Sequence, residues 1–143
     1  MNFTCLQEDL AHGLSVVNRA VATRSTLPIL SNILIETSDG RVQLSATNLE
    51  IGIRSWFEAD VETPGAITVP ARLLSDFVHS LPTAQVTLNL DEKTRALNIH
   101  SDRYRAEIKG IDAVDFPILP TVADGTVFML EAATLKEMIA QVT

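Results

Sequence analysis

The stretch Phe3-Thr4-Cys5-Leu6-Gln7-Glu8-Asp9-Leu10-Ala11-His12-Gly13-Leu14-Ser15-Val16-Val17 decides the fold, because its apolar period changes midway. Phe3 and Cys5 alternate as in a strand, and Leu10, Leu14 and Val17 then follow at the i, i+4, i+7 spacing of a helix. Counted from Phe3, the apolar positions fall at +7, +11 and +14. Ile67, Leu74, Val78 and Leu81 repeat those offsets, and Phe128, Leu135, Ile139 and Val142 repeat them again. Any amphipathic helix shares the helical part, so the information lies in the constant strand-to-helix offset and in copy spacings of 64 and 61 residues. A repeat of that length points to a duplicated subdomain rather than a solenoid. The third copy stops within its helix, and the chain is expected to be the front of a longer protein.

Between the helices the period is two. Ile33 and Ile35, then Val42, Leu44 and Ala46, then Leu49, Ile51 and Ile53 predict three strands, with Ser38-Asp39-Gly40 as a hairpin turn. The second copy offers Val86, Leu88 and Leu90, then Leu97 and Ile99, then Tyr104, Ala106 and Ile108, with turns at 91–94 and 101–102. Each unit reads β-α-β-β-β, over about 1–62 and 63–111. Strands alternating this cleanly belong to antiparallel sheets with one wet face, so the expected class is α+β, two helices packed on antiparallel sheets. Residues 112–125 hold Pro117, Pro120 and Gly125 without a sustained period and are the expected linker. The domain boundary is placed near 122, with 126–143 opening a second domain.

Composition excludes several classes of function. The 143 residues carry 18 acidic and 11 basic side chains, a net charge of -7, and one cysteine, so no internal disulfide can form. Cys5 has no Lys, Arg or His within six residues and reads as a small core side chain. The longest uncharged run, 77–90, contains Pro82 and several polar residues and cannot build a membrane span. With no secretory signal either, the expected location is cytoplasmic. The six glycines are too scattered for a phosphate-binding loop, and His12, His79 and His100 form no zinc pattern. No metal or cofactor is expected. The acidic pairs Glu8-Asp9 and Asp91-Glu92 fall at a helix start and in a turn, where dipole and solvation explain them. No catalytic group is nominated, and the chain is not expected to be an enzyme.

The positive charge is segregated. Residues 10–35 contain no Asp or Glu but do contain His12, Arg19 and Arg24; residues 63–75 are again acid-free and contain Arg72. Both windows include a helix, whose outward face is expected to carry Ser15, Asn18, Arg19, Arg72, Ser75 and His79. The strands carry Glu36, Asp39, Glu50, Glu58, Asp60 and Glu62. A mildly basic helical face on an acidic protein can meet phosphates without reading bases. On charge alone, core composition also explains acid-free windows.

Four segments carry a resemblance: Thr26-Leu-Pro-Ile-Leu-Ser-Asn-Ile-Leu-Ile35, Leu44-Ser-Ala-Thr-Asn-Leu-Glu-Ile-Gly-Ile53, Gly65-Ala-Ile-Thr-Val-Pro-Ala-Arg72 and Asp115-Phe-Pro117. In this order they resemble the beta subunit of bacterial DNA polymerase III, the sliding-clamp family, over the whole chain. The resemblance implies a DNA-clamp (processivity) fold and a head-to-tail homodimer of three-domain chains, closed as a ring around double-stranded DNA. Helices would line the hole and sheets the outside. It implies DNA contacts at Arg24 and Arg72, with Arg19 added from the helical face; family members often have Pro where this chain has Ser25. It implies ring closure along the edge strand 103–109, with Ala106 and Ile108 as anchors supported by Leu73 and Phe77. The pocket for replicative polymerase and clamp loader would lie outside these residues, and no membrane is involved. The alternative class is a self-associating β-rich interaction module that binds no DNA.

Overall fold

In the computed structural model, which describes residues 1–120 and 124–143, the strand-to-helix offset has a direct cause. Strand β1 (Asn2–Leu6) passes into α1 (Gln7–Val17) with no loop, and β6 (Gly65–Pro70) passes into α2 (Ala71–Ser80) in the same way. The start of α1 is capped by the second unit: the Gln7 amide donates to the Ala84 carbonyl at 2.8 Å and its side chain to the Val78 carbonyl at 2.9 Å. After α1 come β2 (Asn32–Ser38), β3 (Arg41–Thr47), β4 (Gly52–Glu58) and β5 (Asp60–Thr63). After α2 come β7 (Gln85–Asp91), β8 (Ala96–Ser101) and β9 (Tyr104–Lys109), and α3 (Ala132–Val142) follows later. The α+β class is thus the observed one.

Two antiparallel sheets form, in the orders β5-β1-β7-β8-β9 and β4-β3-β2-β6. Each unit therefore lends its first strand to the other unit's sheet: β1 pairs with β7, and β6 pairs with β2. The exchange ties the two copies into one core that includes Phe3, Leu10, Leu14, Ile33, Leu44, Ile67, Leu74 and Leu88. The duplication extends past the predicted strands. Just as β5 follows β4 and pairs with β1, Ile111 follows β9 and bridges Thr68 on β6. That approach needs Gly110, where a Cβ would stand 2.5 Å from the Thr68 carbonyl oxygen.

Three expectations are corrected. The third strand of the first unit is Gly52–Glu58, and Leu49 and Ile51 lie before it in a four-residue turn, both largely exposed. Thr47 Oγ1 accepts from the Leu49 amide, and Asn48 Oδ1 accepts from the amides of Glu50 and Ile51. Those side-chain bonds replace a ladder and hold Leu49 at φ 77°, while the turn preserves the phase of the following strand and so imitates alternation. The first unit also has the additional strand β5, four residues long and mostly acidic or polar outside, too short to show a period. Lastly, Phe128 and Leu130 form no strand and are exposed, as are Leu135, Ile139 and Val142 on the predicted helix α3. A strand exists only with a neighbour to hydrogen-bond, and none pairs with 128–130 among the described residues.

The other turns follow their sequence. Asp39 and Gly40, at φ 40° and 76°, close the Ser38↔Arg41 hairpin between β2 and β3. Asp91 Oδ1 accepts from the amides of Lys93 and Thr94 in the turn between β7 and β8. The proline-containing segment after β9 is fastened to the protein rather than loose. Asp112 pairs with Arg95 at 3.3 Å, Phe116 is buried, and Arg54 Nη2 donates to the Leu119 carbonyl at 2.7 Å. The boundary placed near residue 122 falls outside the described residues.

Cys5 points into the core from β1 and is 5% exposed. Burial, and after it the negative charge of Asp9, push its thiol up from 9.0 to about 12. We expect no modification by iodoacetamide in the folded protein at pH 8 and complete modification in urea, read by mass spectrometry. Because the folded value is the higher one, the buried thiol's contribution to stability is intact below pH 9 and is lost as pH rises towards 12. Equal labelling rates with and without urea would contradict the burial.

Candidate nucleic-acid interface

The two helices touch one another through a small polar network. Asn18 Nδ2 donates to Ser75 Oγ at 3.0 Å, and the His79 ring bridges the helices. Its Nδ1 lies 2.7 Å from the Ser75 carbonyl, which can only accept, so the proton sits on Nδ1; its Nε2 faces Ser15 Oγ at 3.1 Å. Ser75, expected on the outward face, is instead buried in this network. Ser15 and His79 remain exposed, and Asn18 is half-buried.

Each candidate arginine is exposed and sits on a different local scaffold. Arg19 is not on α1 itself, which ends at Val17, but in the 3-10 turn Asn18–Ala20 that continues it. The neighbouring Asn18–Ser75 bond holds that turn against α2, whose first turn carries Arg72. Arg24 rides on the following loop, closed by the Ala22 amide donating to the Leu30 carbonyl at 3.0 Å. Ser25 Oγ accepts from the Leu27 amide at 3.0 Å, a side-chain turn that restrains the loop where a proline would do so by fixing φ. The loop borders a cleft of about 380 Å³ whose far wall is Asn48, Leu49 and Glu50. Sequence reasoning missed Asp76, one residue beyond the second acid-free window, whose carboxylate lies 3.8 Å from Arg72 Nε. Its i+4 spacing was the available signal.

The residues considered for ring closure lie where α2 approaches β9. Strand β9 is the last of its sheet and has no strand on its far side among the described residues, leaving alternate backbone groups available to a partner. Leu73 and Tyr104 are about half exposed, and Phe77 and Ala106 are partly buried. Ile108 is 6% exposed and belongs to the core. Arg105, Glu107 and Lys109 alternate with these residues and are exposed. Among the described residues no group of three or more His, Cys, Asp or Glu side chains is placed to hold a metal ion. No helix among them is long and apolar enough to cross a membrane.

A strand-exchanged pair of β-α-β-β-β units, with two helices in contact and exposed arginines on and beside them, defines a domain of the DNA-clamp class. Residues 1–120 match the family model of the DNA polymerase III beta subunit, N-terminal domain, and the chain belongs to that family. It is 44% identical to the beta sliding clamp of Synechocystis, covering 96% of this chain and 37% of that protein. It is 36% identical to the Escherichia coli beta sliding clamp, covering 97% of this chain and 38% of that one. Among solved structures, the Bacillus subtilis DNA polymerase sliding clamp superposes with a TM-score of 0.94 at 30% identity, over 99% of this chain and 39% of that chain. A Bartonella birtlesii sliding clamp, solved bound to griselimycin, gives 0.90 at 37% identity, over 97% and 37%. The chain thus spans somewhat over a third of the length of these relatives.

Proposed function

We propose that these residues form the first wall segment of a sliding clamp, a non-catalytic processivity factor that encircles duplex DNA and tethers the replicative polymerase. On this reading residues 1–122 are the first of three domains, 126–143 open the second, and two chains join head to tail. The observation that carries the reading is the surface of the two packed helices and the loop after α1, on which Arg19, Arg24 and Arg72 are all exposed. A closed ring stays on DNA by topology, so its phosphate contacts can be few, exposed and mediated by water, and sliding follows from their weakness. Arg24 and Arg72, with Arg19 beside them, are the proposed contacts with double-stranded DNA. The free edge of β9, with Leu73, Phe77 and Ala106 at its surface and Ile108 supporting it from the core, is proposed to join the partner chain by strand addition. Polymerase and clamp loader would bind outside these residues.

The test uses the full-length protein, loaded on nicked circular DNA by its loader, with retention measured before and after the circle is cut. Loss upon linearisation is expected. Retention that ignores free ends and falls steeply with salt would mean ordinary electrostatic binding and end the ring reading.

A further inference from the structure

Asp76 is out of place on the surface just described. No acid occurs in residues 10–35 or 63–75, yet Asp76 stands exposed on α2, four residues from Arg72 and three from His79. Its carboxylate contributes little to the fold, because both it and the Arg72 guanidinium are mostly solvated, at 75% and 90% exposure. What the pair does change is the availability of Arg72. A phosphate approaching that guanidinium competes with a carboxylate already 3.8 Å from Nε, and it also meets a like charge.

We propose that Asp76 is a built-in counter-charge that weakens the hold of Arg72 on the DNA backbone and thereby keeps the ring mobile. The inference rests on the ring reading and adds to it a device that limits affinity. Interactions here must be weak enough to break at every step along the duplex. An aspartate one helical turn from the arginine sets that weakness locally, without removing the positive charge that attracts DNA. Asp76 acts through Arg72 and is a positioning residue.

The test compares full-length wild-type protein with Asp76→Asn, Arg72→Gln and the double variant. Two readouts are taken: binding to a short duplex by fluorescence anisotropy, and the diffusion coefficient of loaded rings on stretched DNA. Asp76→Asn is expected to tighten duplex binding and slow diffusion by about two- to five-fold at low salt, the range set by one exposed ion pair, and by less at high salt. In the Arg72→Gln background the same change should have a clearly smaller effect, because only the direct repulsion between Asp76 and phosphate is then relieved. An unchanged Asp76→Asn protein would overturn the proposal, as would an equal gain without Arg72, which would reveal a bulk-charge effect. The ring reading fails separately: rings would then not be lost from linearised DNA, whatever the substitution does to anisotropy.

Discussion

Leu14→Ala is expected to lower the unfolding free energy by about 3 to 4 kcal/mol, the range for a fully buried leucine whose surroundings collapse only partly. Leu14 is 0% exposed and lies in the middle of α1, in the single core that both sheets share. Its immediate surroundings leave little room to relax: a Cβ on the adjacent Gly13 would already stand 3.0 Å from Leu44 Cδ1 and 3.5 Å from Phe57. Since β1 and β6 are exchanged between the units, a cavity here weakens both halves together, and urea unfolding of the 143-residue chain should stay one transition with a lower midpoint. The matched control is Leu135→Ala on α3, where the leucine is 43% exposed and the loss should stay below about 0.5 kcal/mol. A Leu14→Ala loss no greater than the control would mean that the shared core is not what holds the domain together.

Reversing both candidate contacts, Arg24→Glu with Arg72→Glu in the full-length protein, should have the largest functional effect. Each arginine is exposed, on a loop tip and a helix start respectively, so the substitutions leave the core intact and act on charge. If each arginine neutralises one phosphate, the slope of log affinity against log salt for short duplex DNA should flatten by about 2. Rings retained on nicked circles should fall by roughly ten-fold at low salt, since two attractions become two repulsions. Arg41→Glu with Lys93→Glu, at the exposed start of β3 and in the turn between β7 and β8, is the charge-matched control and should retain wild-type slope and loading. An unchanged slope in the Arg24 and Arg72 variant would remove both from the interface, whereas equal losses from the control would show that only net charge matters.

Much of the site was legible because its elements are local. Phe3 and Cys5 followed by Leu10, Leu14 and Val17 announce a strand entering a helix, and every one of these side chains is buried. The outward placement of Arg72 follows from the matching phase of the second copy, whereas Arg19 and Arg24 stand on a 3-10 turn and a loop beyond the helix. Ser75 was misplaced because a small polar side chain on a helix says nothing about a neighbouring helix; only the packing of α1 on α2 brings Asn18 to it. Leu49 and Ile51 were misread because a four-residue turn leaves the period-two phase unbroken, and the hydrogen bonds that make it a turn come from Thr47 and Asn48 side chains.

What the sequence by itself determined is therefore what short-range periods and turn residues govern: the first two strand-helix units, the Asp39-Gly40 hairpin, the antiparallel class and the acid-free windows. Tertiary structure alone decided which strands are neighbours. β1 and β6 carry the same alternation and could each have joined the hairpin sheet of its own unit, β1 beside β2 and β6 beside β7, and nothing local distinguishes that arrangement from the exchange observed. The choice is non-local, made where the strand, the helix it feeds and the opposite unit's sheet bury one common set of apolar side chains. That exchange also sets the helices side by side, and the two-helix surface proposed to meet DNA exists only because of it.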